Sequence, residues 1–200
     1  TRFITDNPAY WDARRYRRPC RNIPRKIDML GVEDDGTFTM PRGAESDVLD
    51  LLGLSGDVVI DETSFPAASP MAFQGTLRPY QQAAVDAVVA AGGGVVQAPT
   101  GSGKTVVAVA LASRLATPTL IVVHTSVLLE QTVARVQEFL GIDAGVVGGG
   151  SDTVGDVTVA MVQTLMRRDL SSLRDRFGLV ILDEAHHCPA STFKTVVQEF

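Results

Sequence analysis

Ala98-Pro99-Thr100-Gly101-Ser102-Gly103-Lys104-Thr105 is the stretch on which the reading of this 200-residue chain turns. Apolar Val95 and Val96 precede it and predict a strand, and a helix is expected to begin on Lys104 and Thr105. A glycine-rich turn between a strand and a helix lets backbone N–H groups and a helix N-terminus converge on a polyphosphate, where a Cβ would block the approach. In that geometry Thr100, Gly101, Ser102 and Gly103 line the phosphates. Lys104 reaches the β and γ groups, and the Thr105 hydroxyl holds Mg²⁺. The strict pattern has glycine in its first position, where this chain has Ala98.

Outward from the loop, Leu179-Val180-Ile181-Leu182 runs directly into Asp183-Glu184-Ala185-His186. An apolar run that ends in two acids reads as a buried parallel strand whose carboxyl end delivers charge to a ligand crevice. Asp183 is then the candidate Mg²⁺ holder and Glu184 the candidate general base for an attacking water. An isolated Asp-Glu pair also caps helices; the phosphate loop upstream favours the catalytic reading.

APTGSGKT and DEAHH together resemble motifs I and II of superfamily two DEAD/DEAH-box helicases, and most nearly those of the UvsW/XPB-like branch. Leu77-Arg78-Pro79-Tyr80-Gln81-Gln82, Val123-His124-Thr125 with Leu128-Leu129, and Val157 through Thr164-Leu165 support the likeness, which covers residues 76 to 200. The resemblance implies an α/β fold, a RecA-like P-loop NTPase domain with a central parallel sheet, preceded here by a small α+β accessory domain. It implies ATP and Mg²⁺ as cofactors and nucleic acid as partner, with DNA favoured over RNA.

Residue roles follow from the same likeness. Gln81 sits where the family reads adenine through a side-chain amide, with Arg78 and Tyr80 flanking the base; a plain helix N-terminus is the alternative. Thr125 falls in the motif that grips the nucleic-acid backbone, and its hydroxyl can also cap the helix that follows. Thr164 belongs to the stretch before motif II that contacts the strand, but Met161 stands where relatives often carry threonine, so that hydroxyl contact is not carried over. Gly149, in Gly148-Gly149-Gly150, either admits a phosphodiester backbone or forms a mobile turn. His186 inherits the coupling of the nucleotide site to the strand-binding side. Three adjacent side chains, His186, His187 and Cys188, do not readily converge on one ion, so zinc is not expected.

Composition bounds the rest. With 45% hydrophobic residues the chain can bury a proper core, and a net charge of -5 gives no overall pull toward nucleic acid. The sum conceals an asymmetry: residues 1 to 30 carry eight Lys and Arg against three Asp, and residues 31 to 75 carry nine acids against Arg42. Tyr10-Trp11-Asp12-Ala13-Arg14-Arg15-Tyr16-Arg17-Arg18 interleaves aromatics with arginines, which suits stacked bases and phosphates. A solvated helix face with Trp11 and Tyr16 packed inward is the competing reading. The absence of an 18-residue apolar run or leader pattern predicts a cytoplasmic protein of a bacterial or phage-infected cell with no membrane partner, and Cys20 and Cys188 suit a reducing compartment. Thr1 suggests a trimmed start.

The domains are expected at 1–70, accessory module and linker, and 71–200, the first RecA-like helicase ATP-binding domain. In the first, 26–33 and 37–40 flank an Asp34-Asp35-Gly36 turn, 45–54 reads as a helix, 58–60 as a strand and 64–70 as a linker. In the second, helices are expected at 80–91, at 106–115 and from a Ser126 cap to Gly141. Strands are expected at 120–123, 144–147, 157–162 and 179–182. The chain ends before the second RecA-like domain with its arginine finger, so weak ATP binding and poor hydrolysis are expected. The function class is an ATP-dependent DNA helicase or translocase. Alternatives are the motor part of a restriction enzyme, a small-molecule P-loop kinase and a non-catalytic ATP-gated nucleic-acid binding module.

Overall fold

Thr119–Val123, five residues buried without exception, form the strand about which the larger part of the molecule is assembled. The computed structural model describes residues 4–21, 23–28, 31–32, 38–39, 70–173, 176–185 and 196. The chain divides into two compact units, Thr1–Glu62 and Thr63–Phe200.

In unit 1, β1 (Ile4–Asp6) pairs antiparallel with β2 (Lys26–Asp28), closing the segment between them into a loop. That loop carries α1 (Pro8–Arg15), which starts with proline at its first position, where no helical N–H is lost. Buried Asn7 fastens it: its backbone N–H donates to the Arg25 carbonyl at 2.9 Å and its side-chain Nδ2 to the Pro24 carbonyl at 2.8 Å. At the other end, Arg17 N donates to Arg14 O and Arg18 N to Ala13 O, with Arg17 in the left-handed region at φ +52°. This paired closure normally has glycine where Arg17 stands. A short antiparallel pair, β3 (Gly31–Val32) and β4 (Phe38–Thr39), follows. The expected turn at 34–36, helix at 45–54, strand at 58–60 and nearly all of the linker at 64–70 lie outside the described residues. Trp11 and Tyr16 are not packed inward as one reading had them; they are 42% and 62% exposed.

In unit 2 the elements are α2 (Pro79–Ala91), α3 (Lys104–Leu115), β5 (Thr119–Val123), α4 (Ser126–Leu140), β6 (Gly145–Gly148), β7 (Ser151–Asp152), β8 (Val157–Met161), α5 (Val162–Leu165) and β9 (Leu179–Leu182). The sheet order is β7-β6-β8-β5-β9. The β5–β8, β5–β9 and β6–β8 pairs are parallel, as expected, and β7 adds one antiparallel edge through a hairpin. Alternate residues of β5 serve two cores. Ile121 and Val123 meet Val109, Val136, Leu140 and Val159 on one face, and Leu120 and Val122 meet Ala160, Leu165, Leu173 and Phe177 on the other. Burial on both faces is why this strand reads as an unbroken apolar run instead of an alternating one.

A third cluster, Val85 with Val107, Ala110 and Leu111, packs α2 on α3 and takes in Leu179 and Ile181 of β9. The entry to unit 2 is tied down as well. Ser113 Oγ donates to the Met71 carbonyl, and Phe73 stacks on Phe139 of α4 with centroids 5.2 Å apart.

Two expectations are corrected. Val95 and Val96 do not form a strand: Val95 is 97% exposed and Val96 38%, and the segment follows Gly92, Gly93 and Gly94, all at positive φ. A strand is made by its neighbour, and among the described residues β9 pairs only with β5. The cap of α4 is Thr125, not Ser126; Thr125 Oγ1 accepts from Leu128 N at 3.2 Å, and Ser126 is the first helical residue.

Candidate active site

The phosphate loop is built from two glycine turns against the start of α3. Gly101 has φ +79° and Gly103 φ +82°, and Gly103 is the residue immediately before the helix. The first N–H groups of an α-helix have no partner within the helix, so the N-terminus of α3 offers donors and the positive end of its dipole to an anion. A Cβ on Gly103 would lie 2.5 Å from Gln81 Nε2, a distance no real Cβ contact tolerates. The loop therefore needs glycine there for its conformation and for its neighbour alike.

That neighbour is a clamp. Gln81 is 94% buried by its 6% exposure, accepts from Arg78 N at 2.9 Å and donates to the Ser102 carbonyl at 3.0 Å. The Tyr80 hydroxyl donates to the same carbonyl at 2.9 Å, and Arg78 reaches Tyr80 at 3.2 Å. The three residues expected to surround a base thus also fix the floor of the phosphate loop, a link that residue spacing does not reveal. Ser102 Oγ is buried with no hydrogen-bond partner among the described residues. A buried orphan hydroxyl, an open glycine turn at Gly101 and a helix N-terminus together fit a polyphosphate.

The acids arrive from β9. Asp183 N donates to the Val122 carbonyl at 3.0 Å, which carries the parallel pairing one residue past the strand. Glu184 then turns into the left-handed region at φ +51°, an uncommon conformation for a residue with a side chain. Its carboxylate meets Lys104 Nζ at 3.1 Å, and Lys104 also reaches the Ala98 carbonyl at 3.4 Å. Both side chains of the pair are about three-quarters buried. Asp183 is held above the ordinary carboxylate range, first by burial and then by repulsion from Glu184, while Lys104 and His124 pull the other way. Thr105, half-buried, is the second residue of α3, and Thr100 lies exposed on the loop. His186 lies outside the described residues.

The candidate strand contacts fall at the ends of neighbouring strands. Thr125 caps α4 directly after β5, and Gln163 Nε2 donates to the His124 carbonyl at 2.9 Å, a bridge between the ends of β5 and β8 that the sequence did not signal. Thr164 lines a cleft of about 590 Å³ with Met161, Gln163, Arg167, Arg168 and Asp152. Arg168 is paired with Asp152 across it. Gly149 does not line this cleft. With Gly150 it makes the two-residue turn of the β6–β7 hairpin, at φ +60° and +90°, a turn type that requires positive φ at both positions. Beside it, a Cβ on Gly148 would lie 2.8 Å from Met161 Cγ.

Comparison with known proteins bears on residues 74–200, which match the family model described as type III restriction enzyme, res subunit. The chain is 37% identical over 142 residues to the DNA 3'-5' translocase XPB2 of Sulfurisphaera tokodaii, across 71% of this chain and 31% of that protein. It is 35% identical over 130 residues to the DNA 3'-5' helicase XPB of Mycobacterium tuberculosis, across 59% of this chain and 23% of that one. The chain thus spans less than a third of the length of these relatives. Among solved structures, the UvsW helicase from bacteriophage T4 superposes with a TM-score of 0.65 at 17% identity, covering 98% of this chain and 78% of that one.

Proposed function

The chain belongs to the family described as type III restriction enzyme, res subunit, and from that membership we propose that it is the ATP-binding part of a DNA translocase or helicase. Residues 71–200 are its first RecA-like domain and residues 1–70 an accessory domain. The observation that carries this reading is the meeting of Lys104 with Glu184 at 3.1 Å, because it brings the phosphate-loop cation and the candidate base to one point. An entering γ-phosphate competes with Glu184 for the ammonium of Lys104. Its arrival frees the carboxylate to accept a proton from the attacking water while Lys104 stays on the phosphate. Thr105 and Asp183 are the residues that would hold Mg²⁺, which when bound neutralises charge on the β and γ phosphates.

Gln81 in this reading has two duties, adenine recognition and the hold on Ser102, so that base binding sets the loop. Thr125, Gly149 and Thr164 are assigned to the nucleic-acid side, and His186 to coupling between the two. Among the described residues no helix is long and apolar enough to cross a membrane. One variant within this class is a motor that moves along duplex DNA without separating its strands; of the relatives, one is described as a DNA 3'-5' translocase and another as a DNA 3'-5' helicase. Displacement of a third strand from a triplex, without displacement of a paired strand, distinguishes that variant from a helicase.

Steady-state ATP hydrolysis with and without single- and double-stranded DNA, beside Glu184→Gln and Lys104→Ala, tests the proposal. Nucleotide binding lost in Lys104→Ala, and hydrolysis lost in Glu184→Gln with binding kept, is the expected result. Unchanged nucleotide binding in Lys104→Ala overturns it, as does phosphate transfer to an acceptor other than water.

A further inference from the structure

We propose that the α1 surface of unit 1 is a separate binding surface for single-stranded nucleic acid, which it holds by stacking bases on Trp11 and Tyr16 between arginines. Within the loop closed by β1 and β2, residues 4 to 28 carry six arginines and Lys26 against three aspartates. Arg14, Arg15, Arg17, Arg18, Arg21 and Arg25 are all exposed. So are both rings, and each already has guanidinium groups against it: Arg25 lies 5.3 Å from the Trp11 centroid, and Arg15 and Arg18 lie 5.9 and 5.6 Å from that of Tyr16. An exposed ring with guanidinium cations beside it offers a face on which an unpaired base can stack, and the same cations neutralise adjoining phosphates.

The backbone points the same way. Arg17 occupies the left-handed position that closes α1, where glycine is the favoured residue, and its side chain is exposed. A strained arginine with no packing role at such a position is accounted for by a use for its charge. Duplex nucleic acid keeps its bases inside and cannot use the rings, and an anionic membrane asks for a broad apolar face that the eight residues of α1, Pro-Ala-Tyr-Trp-Asp-Ala-Arg-Arg, do not supply. An unpaired strand is the polyanion that uses both the charges and the rings.

Trp11 is the only tryptophan in the chain, so its fluorescence reports this surface directly. The experiment titrates the whole 200-residue protein with an oligothymidylate of about 16 nucleotides, without ATP or Mg²⁺, so the outcome does not depend on whether unit 2 hydrolyses ATP. Quenching of Trp11 emission by the oligonucleotide, with much weaker quenching by a duplex of equal length, is expected. Trp11→Ala, followed by anisotropy of a labelled oligonucleotide, is expected to weaken binding about fivefold or more. Arg15→Gln with Arg18→Gln is expected to lower the slope of log affinity against log salt by about 1.4, and Arg17→Gly by about 0.7. Arg17→Gly serves as the folding control, since glycine suits that backbone. Binding that leaves Trp11 emission unchanged, equal quenching by duplex, a response to anionic vesicles alone, or salt slopes unaltered in the arginine variants would each overturn the proposal.

Discussion

Gly103 concentrates several demands in one residue: φ +82°, the start of α3, and a Cβ position 2.5 Å from the Gln81 amide. Gly103→Ala is expected to destabilise unit 2 by about 1–2 kcal/mol from backbone conformation alone. It also pushes Gln81 off the Ser102 carbonyl, so nucleotide affinity falls along with the melting temperature; calorimetric titration and thermal unfolding check the two effects. Asp183 behaves in the opposite way, because its ionised form is disfavoured by burial and by Glu184. An acid whose pKa is raised on folding opposes folding where it is ionised. That penalty is complete above the folded value, shrinks as pH falls through it and vanishes below the unfolded value. Asp183→Asn is therefore expected to raise the melting temperature at about pH 8 and to lose that advantage near about pH 4. The residual Mg²⁺-dependent hydrolysis is expected to be lost in the same variant. Melting curves at the two pH values, beside steady-state hydrolysis, decide it.

At the scale of the element, periodicity made some parts legible and not others. Helices α2 and α4 were readable because each is stopped by a glycine, Gly92 and Gly141, and because α4 carries Leu129, Val136 and Leu140 on one buried face; α3 was readable from its nearly unbroken apolar run, and its left-handed end at Ala116 carries no sequence signal. The loop and the Asp-Glu pair were readable because each follows from local chemistry. The strand expected at Val95 was not formed, since pairing is a property of two segments and a single apolar dipeptide does not supply the second. The clamp of Gln81 and Tyr80 on Ser102 joins residues 21 and 22 apart, and no local pattern encodes it. Thr125 against Ser126 as the cap was a choice between adjacent hydroxyl residues that only the backbone angles settle. Leu120, fully buried at the centre of β5, offers the element-scale test. Leu120→Ala is expected to cost about 2–5 kcal/mol. Val127→Ala, exposed on α4 one element away, is expected to cost within about 0.5 kcal/mol, and denaturant unfolding of both variants measures the contrast.

For the whole molecule, a charge asymmetry was legible in the sequence, with cations crowded into residues 1 to 30 and acids after them, but both fall within unit 1 and do not mark the division between the units. The order of strands was not legible, because β5 lies between β8 and β9 in space and precedes both in sequence. That order has a consequence for how the protein is made. The central strand leaves the ribosome before either of its parallel neighbours, and Thr119–Val123 has no edge to pair with until Val157–Met161 and then Leu179–Leu182 have been synthesised. Pairings so distant in sequence are slow to form, because a long loop must close before any of them is rewarded. During that interval a strand with four apolar residues in five is available to the strands of other nascent chains, so the wait for β8 and β9 is a step of assembly exposed to aggregation.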